Sequence, residues 1–424
     1  MGRVIFSFKF NERGFIQTID RGLKTVFNFI SIYLITFMAG DSGLAEYGII
    51  MNAYNIFILF TNCGYDHFLF RYFSSSTSRD CVINLSIALK YRFSAIVFFM
   101  SLFQLYIFIF SHDEMHKIIF LYPVMLISIS DIIETYLLTK KIEINYFKIK
   151  ILLLFILNVT KFLAFWVTKD LYIFYLLFAI ENFLIIIYAA VYSKVRNLWY
   201  ITNFNWRFYF VNPLFKEVLT YSIVTLSVTI YLRFDLFVLA HLNVKTADLS
   251  AFFLSYTIAQ VVMIPIYSLY TIYKNEIVEQ SDEVKLEFTL LKVLKLVIIY
   301  TFLCFVVLTS IYVLSFFQTP FDFKKILTIL PVHLLINLFV VVGFYFSTCV
   351  VLGKYFKIAV IQPVSTAIIY ILIYLIFNDS LSLNTVLLIS FLIALYNSIL
   401  FNLLFNFNYL LKIKLTTLKQ LMRV

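Results

Sequence analysis

An arginine and an aspartate stand two residues apart, as Arg233-Phe-Asp235, inside the otherwise oily run TIYLRFDLFVLAHL that begins at Thr229. Two residues apart is about 200° around a helix, so the two side chains face nearly opposite ways and cannot pair with each other. Positions three and four away from Arg233 are Ile230, Thr229, Leu236 and Phe237, none of them anionic. Each charge therefore needs a partner on another helix, or water, and water at that depth implies a cavity between helices. Similar residues recur. Lys161 stands about 8 residues before a short turn at Lys169–Asp170, and Glu181 about 11 after it. At 1.5 Å per residue their depths differ by about 4–5 Å, which a lysine stem covers. A Lys161–Glu181 contact or a shared watery pocket follows, either as part of a solute path or as an ion pair that fixes two helices.

Asp131 and Glu134 are three apart and share one helical face. Two carboxylates in low dielectric repel, so one tends to hold a proton, which suits proton coupling. Glu134 also reads as an interfacial carboxylate beside Lys140 and Lys141. Asp20, Arg21 and Lys24 open the first apolar run, where they line a vestibule or snorkel to headgroups. Asp66 closes the second. The candidate substrate-binding cations are thus Arg233, Lys161 and Lys24. The candidate coupling or cavity-lining carboxylates are Asp235, Glu181, Asp131, Glu134 and Asp66.

The surrounding chain makes these charges costly. Its 424 residues are 62% hydrophobic and 13% charged, with a mean hydropathy of +0.93. Soluble domains run at about 45–50% apolar and 25% charged. An ion at bilayer depth costs from roughly 2.5 to more than 10 kcal/mol. Apolar windows of about 20 residues, each long enough to span the hydrocarbon, recur twelve times: 19–39, 47–63, 93–111, 118–138, 150–168, 171–192, 218–242, 249–273, 293–316, 326–352, 357–377 and 385–408. They are too long and continuous for barrel strands, and helices alone satisfy their backbone internally. The expected fold is an all-α integral membrane protein. Its domains are an N-terminal six-helix bundle (1–192), a cytoplasmic linker (193–217), a C-terminal six-helix bundle (218–408) and a cytoplasmic tail (409–424).

With the N-terminus in the cytoplasm, 27 of the 34 lysines and arginines fall inside, among them Lys90 and Arg92 in one cytoplasmic loop and Lys140, Lys141, Lys148 and Lys150 in the next. Five fall outside (Lys117, Lys169, Lys245, Lys324 and Lys325), and Lys161 and Arg233 lie within spans. This positive-inside asymmetry puts both termini in the cytoplasm. The basic excess is therefore topological and faces anionic lipid headgroups, and no nucleic-acid motif accompanies it. The basic, mixed N-terminus has no short apolar core leading to a small-residue cleavage site, so no cleavable signal is expected. Cys63, Cys81, Cys304 and Cys349 suit no metal spacing, and no cofactor is expected. Pro123, Pro265, Pro331 and Pro363 fall inside spans as kinks or hinges. Tyr33, Tyr54 and Tyr231 are candidates for stacking on sugar rings, against ordinary packing. His333 reads as pore-lining or satisfied.

Glu46-Tyr47-Gly48, the stretch Gly64-Tyr-Asp-His-Phe-Leu-Phe-Arg71-Tyr-Phe-Ser74, and Arg233-Phe-Asp235 followed by Ala251-Phe-Phe-Leu-Ser-Tyr256 carry a family likeness. With twelve spans, short outer loops and a mid-chain link, the chain resembles the Wzx-type O-antigen flippases of the multidrug/oligosaccharidyl-lipid/polysaccharide exporter superfamily. Asn243-Val-Lys245 departs from the glycine often found in that family's short loop. The resemblance implies two bundles forming a V-shaped central cavity, alternating access, and a bacterial inner-membrane location. It implies no enzyme. The substrate it implies is an undecaprenyl-pyrophosphate-linked O-antigen or capsule repeat unit, moved from the cytoplasmic to the outer leaflet. A polysaccharide polymerase and a chain-length regulator are its implied partners. Three other readings stand beside it. A membrane polymerase or glycosyltransferase on the same lipid-linked sugars would carry a large outer loop, which this chain lacks. A drug/cation antiporter of the same superfamily would want an anionic cavity. A structural scaffold explains the helices and leaves the buried charges without a role.

Overall fold

The computed structural model describes residues 12–62, 127–140, 144–192, 226–242, 244–278, 285–317, 319–352, 356–377 and 381–401, with short pieces within 85–101 and at 223–224. All regular structure among them is helical. The helices are α1 (Glu12–Asn62), α2 (Ile127–Lys140), α3 (Ile144–Thr168), α4 (Leu171–Tyr192), α5 (Asp235–His241), α6 (Thr246–Val278), α7 (Lys285–Leu314), α8 (Phe323–Leu352), α9 (Phe356–Phe377) and α10 (Leu383–Leu395). A π-helical turn, Tyr396–Leu400, continues α10. Eight of the described helical stretches are long and apolar enough to cross a membrane. The chain is a multi-pass, all-α membrane protein.

The first two expected spans are two helices that meet at a kink within α1, with no loop between them. The bend falls at Gly40, whose φ of 66° and ψ of −163° lie where a side chain is strained and glycine is not. The expected span 171–192 coincides with α4. The expected span 218–242 is broken: residues 226–233 are helical, Phe234 is a bend, and α5 begins at Asp235. Pro265, Pro331 and Pro363 lie inside α6, α8 and α9. Pro123 lies outside the described residues.

The chain forms two compact units. One comprises residues up to Gly43 and from Ala53 to Ser222; the other comprises Leu44–Asn52 and the chain from Ile223 onward. In the first unit α4 packs against α2 and α3. The α3–α4 hairpin turns within two residues. Lys169 N–H donates to Phe165 O at 2.8 Å, and Asp170 caps α4 by accepting from Tyr172 N–H at 2.8 Å. In the second unit α8 packs against α6, α7, α9 and α10 and is the central helix. Lys325, near its start, bonds Asp248 on α6 at 2.5 Å. Ser382 caps α10 by accepting from Thr385 N–H.

Gly48 is fixed by a close approach. A Cβ there would fall 2.6 Å from Cγ of the Phe253 ring. Phe253 is buried, and Tyr47 meets the same ring edge-on at 6.0 Å. Gly48→Ala is expected to destabilise the detergent-solubilised protein by about 1–3 kcal/mol through overpacking. Phe253→Leu in the same chain should recover part of the loss. Thermal unfolding of the two single variants and the double variant measures the coupling.

Candidate functional site

The expected Lys161–Glu181 contact is present. Lys161 Nζ lies 2.7 Å from Glu181 Oε2, with both residues buried. The two-residue α3–α4 turn sets the register that lets them meet. Asn158, one turn before Lys161, donates to Glu181 Oε1 at 2.9 Å. Three rings, Phe162, Phe174 and Phe178, lie 5.1–5.6 Å from the ammonium. Both carboxylate oxygens and the lysine are thus committed in an aromatic box.

A second cluster in the same unit corrects the assignment of loop cations. Lys150 is buried inside α3, and its ammonium lies between two carboxylates, Glu134 Oε1 at 2.7 Å and Asp20 Oδ2 at 3.3 Å. Glu134 is therefore not simply an interfacial partner of Lys140 and Lys141. It is half-buried, and Tyr146 O–H also donates to it at 3.0 Å. Lys90 and Arg92, likewise expected in a loop, are buried. The cause is geometric: α3 starts at Ile144, two turns before Lys150, and carries that lysine inward. Lys24 sits on α1 3.4 Å from Asp20 with its side chain 46% exposed. Asp131 lies on α2, half-buried.

The second unit holds Arg233 and Asp235 on either side of the bend at Phe234. Asn52 Nδ2 donates to Arg233 O at 2.7 Å, satisfying a carbonyl that the break frees. Asp235 is buried and accepts three hydroxyl hydrogen bonds. Tyr370 and Tyr374 on α9 donate to Oδ1 at 2.6 and 3.0 Å, and Ser390 on α10 donates to Oδ2 at 2.6 Å. Three donors hold a carboxylate without a cation. Arg233 is half-buried, its guanidinium carbon 5.2 Å from the Tyr256 ring centroid. It makes no ion pair among the described residues. A cavity of about 20 Å³ opens beside Asp235, lined also by Tyr231, Tyr256, Gln260, His333, Asn337 and Ser390.

Three elements of this site lay beyond the sequence reading: Tyr370, Tyr374 and Ser390. The two tyrosines, four apart in mid-span, are the signal that pointed to them, since they share one helix face. Tyr33 stacks on Phe37, Tyr54 meets Phe178 edge-on, and Tyr231 O–H accepts from Asn397 Nδ2 at 3.0 Å. Among the described residues no group of side chains suits a metal ion. Asp66, Cys63, Cys81 and the stretch 64–74 lie outside the described residues.

No family model matches the chain, and no curated protein matches it. Among solved structures it is similar to "Lipid II flippase MurJ, inward closed conformation". The TM-score is 0.65 at 16% identity, covering 94% of this chain and 91% of that one. The likeness establishes a shared fold along nearly the whole chain.

Removing one partner of a buried ion pair strands the other, at about 3–5 kcal/mol. Lys161→Met and Glu181→Leu alone are each expected to cost that much. The double variant should cost less than either. Thermal unfolding in a fixed detergent checks the order.

Proposed function

We propose that this chain is a flippase for a lipid-linked oligosaccharide, a Wzx-type member of the multidrug/oligosaccharidyl-lipid/polysaccharide exporter superfamily. It resides in the bacterial inner membrane with both termini cytoplasmic. The cargo is an undecaprenyl-pyrophosphate-linked repeat unit, moved to the outer leaflet by alternating access of an N-terminal and a C-terminal six-helix bundle. Sugars and pyrophosphate cannot enter hydrocarbon and need a hydrated, partly cationic path. The polyprenyl tail can stay in lipid.

The observation that carries this reading is the contrast between the deep cations. Lys161 is neutralised by Glu181 at 2.7 Å. Arg233 rests on a ring and makes no ion pair among the described residues, while Asp235 takes hydroxyls as donors. An arginine in that setting keeps its fork for a phosphate. Lys161 joins as a second cation only when its bond to Glu181 opens, which gives Glu181 a coupling role. Lys24, half-exposed on α1 beside Asp20, meets the headgroup on entry. The fold shared with a lipid II flippase supports the same class of cargo. An inside-negative potential of ~100 mV would drive two uncompensated negative charges outward by about 4–5 kcal/mol.

Arg233→Ala is expected to abolish export with the protein still inserted, and Arg233→Lys to retain part of it. The readout is the leaflet on which the lipid-linked repeat accumulates. Trapping inside supports the flippase. Single repeats that reach the outside and stay unpolymerised support a polymerase instead.

A further inference from the structure

His333 has no part in the reading above. It lies on α8, 5% exposed, with its ring held edge-on between Phe252 at 4.7 Å and Tyr256 at 5.7 Å. Its Nε2 is buried and has no hydrogen-bond partner among the described residues. A buried polar atom of this kind calls for a polar neighbour. His333 lines the same cavity as Asp235, and about 20 Å³ is room for one water. A carboxylate has about four acceptor positions. Tyr370, Tyr374 and Ser390 fill three of them at Asp235, which leaves one for that water.

We propose that His333 and Asp235 share one exchangeable proton through a single bridging water in this cavity, and that the proton is taken up when an anion engages Arg233. In the uptake step a hydronium gives its proton to the Nε2 lone pair. One O–H bond breaks, one N–H bond forms, and a neutral water remains between the imidazolium and the carboxylate.

The charge balance gives the link. With no anion bound, Arg233 and Asp235 offset each other and a neutral His333 is favoured. An anion on Arg233 leaves the Asp235 charge without its counterpart, and a proton on His333 restores it. Tyr256 touches both cations' positions, with Arg233 over its ring and His333 at its edge. The other titratable groups on the packed elements include Lys292 on α7, whose ammonium lies over the Tyr273 and Phe288 rings, and the exposed Lys295. Tyr231 accepts from Asn397, and Tyr300 on α7 donates to Leu334 O at 2.8 Å. Tyr370 and Tyr374 donate to Asp235 itself. Tyr267 lies on α6, Cys304 on α7 and Tyr396 on the π turn. Asp248 at the start of α6 is bonded to Lys325 at the start of α8, where Lys324 also sits, more than two turns before His333. By reciprocity, anion binding and proton binding favour each other. The anion half of the inference rests on the flippase reading, and the proton half does not.

The test uses the full chain in lipid nanodiscs with isotope-labelled histidine. The chain has five histidines, so the His333 imidazole signal is assigned by its loss in His333→Gln. As the pH is lowered from about 8, that signal is expected to titrate. Asp235→Asn should move its midpoint down by roughly one unit. Ser390→Ala, which strips one donor and keeps the charge, should move it up and serves if Asp235→Asn does not fold. Inorganic pyrophosphate should raise the midpoint in the unaltered chain and leave it unchanged in Arg233→Ala. A His333 signal that stays fixed with and without pyrophosphate, or one indifferent to both Asp235 and Ser390 variants, overturns the shared proton. A titration that responds to Asp235 but not to pyrophosphate upholds the proton site. It removes the link to Arg233, and with it that residue's role as the anion contact.

Discussion

Hydrocarbon offers a buried ion nothing to bond, so each charge in a membrane helix must find its partner within the protein. The structure meets this demand in two ways. In the first unit ions meet ions: Lys161 with Glu181, and Lys150 between Asp20 and Glu134. In the second unit Asp235 meets three hydroxyls, and Arg233 meets a ring. The two solutions differ in consequence. An ion pair cancels charge and holds helices together. A carboxylate held by neutral hydroxyls has no cation bonded to it, and a guanidinium over a ring has no anion bonded to it among the described residues. The first unit is therefore electrostatically closed at Lys161, while the second carries charge that a ligand can still engage.

The Lys161–Glu181 pair was legible because a short turn fixes register. With only Lys169 and Asp170 between α3 and α4, depth follows from counting residues. Lys150 was not legible by the same means. The run Lys140-Lys-Ile-Glu-Ile-Asn-Tyr-Phe-Lys148-Ile-Lys150 reads as a basic loop, since charge density is its strongest signal. Only the start of α3 at Ile144 shows that Lys150 is already two turns inside a helix. Its partner Asp20 lies 130 residues away, and no local pattern encodes that contact. Gly40 gives the converse case. A glycine between two apolar runs reads as a loop, and the backbone uses its positive φ to join two helices directly at a kink.

The partners of Asp235 lie 135 to 155 residues downstream, so the sequence showed the need for them and not their identity. Tyr370 and Tyr374 stand four apart on one face of α9, and both rings are buried. Buried tyrosines need an acceptor for their hydroxyls. The carboxylate is that acceptor, and the arithmetic works from either side.

Three stretches, around Gly48, Arg233 and Phe253, meet at the bend at Phe234. An unbroken helix would hold Arg233 and Asp235 on opposite faces of a single rigid rod. The break lets α5 turn its first residue, Asp235, toward α9 and α10, while Arg233 stays beside α6. It also frees the Arg233 carbonyl, and Asn52 caps it at 2.7 Å. Asn52 belongs to the segment that carries Gly48, and Gly48 lies against Phe253 within the Ala251–Tyr256 stretch. Tyr256 then closes the circuit by carrying Arg233 on its ring. Residues separated by some 200 positions thus fix one guanidinium. The Leu44–Asn52 segment therefore meets the rest of the second unit at two points, the Arg233 carbonyl and the Phe253 ring, and both contacts depend on its register.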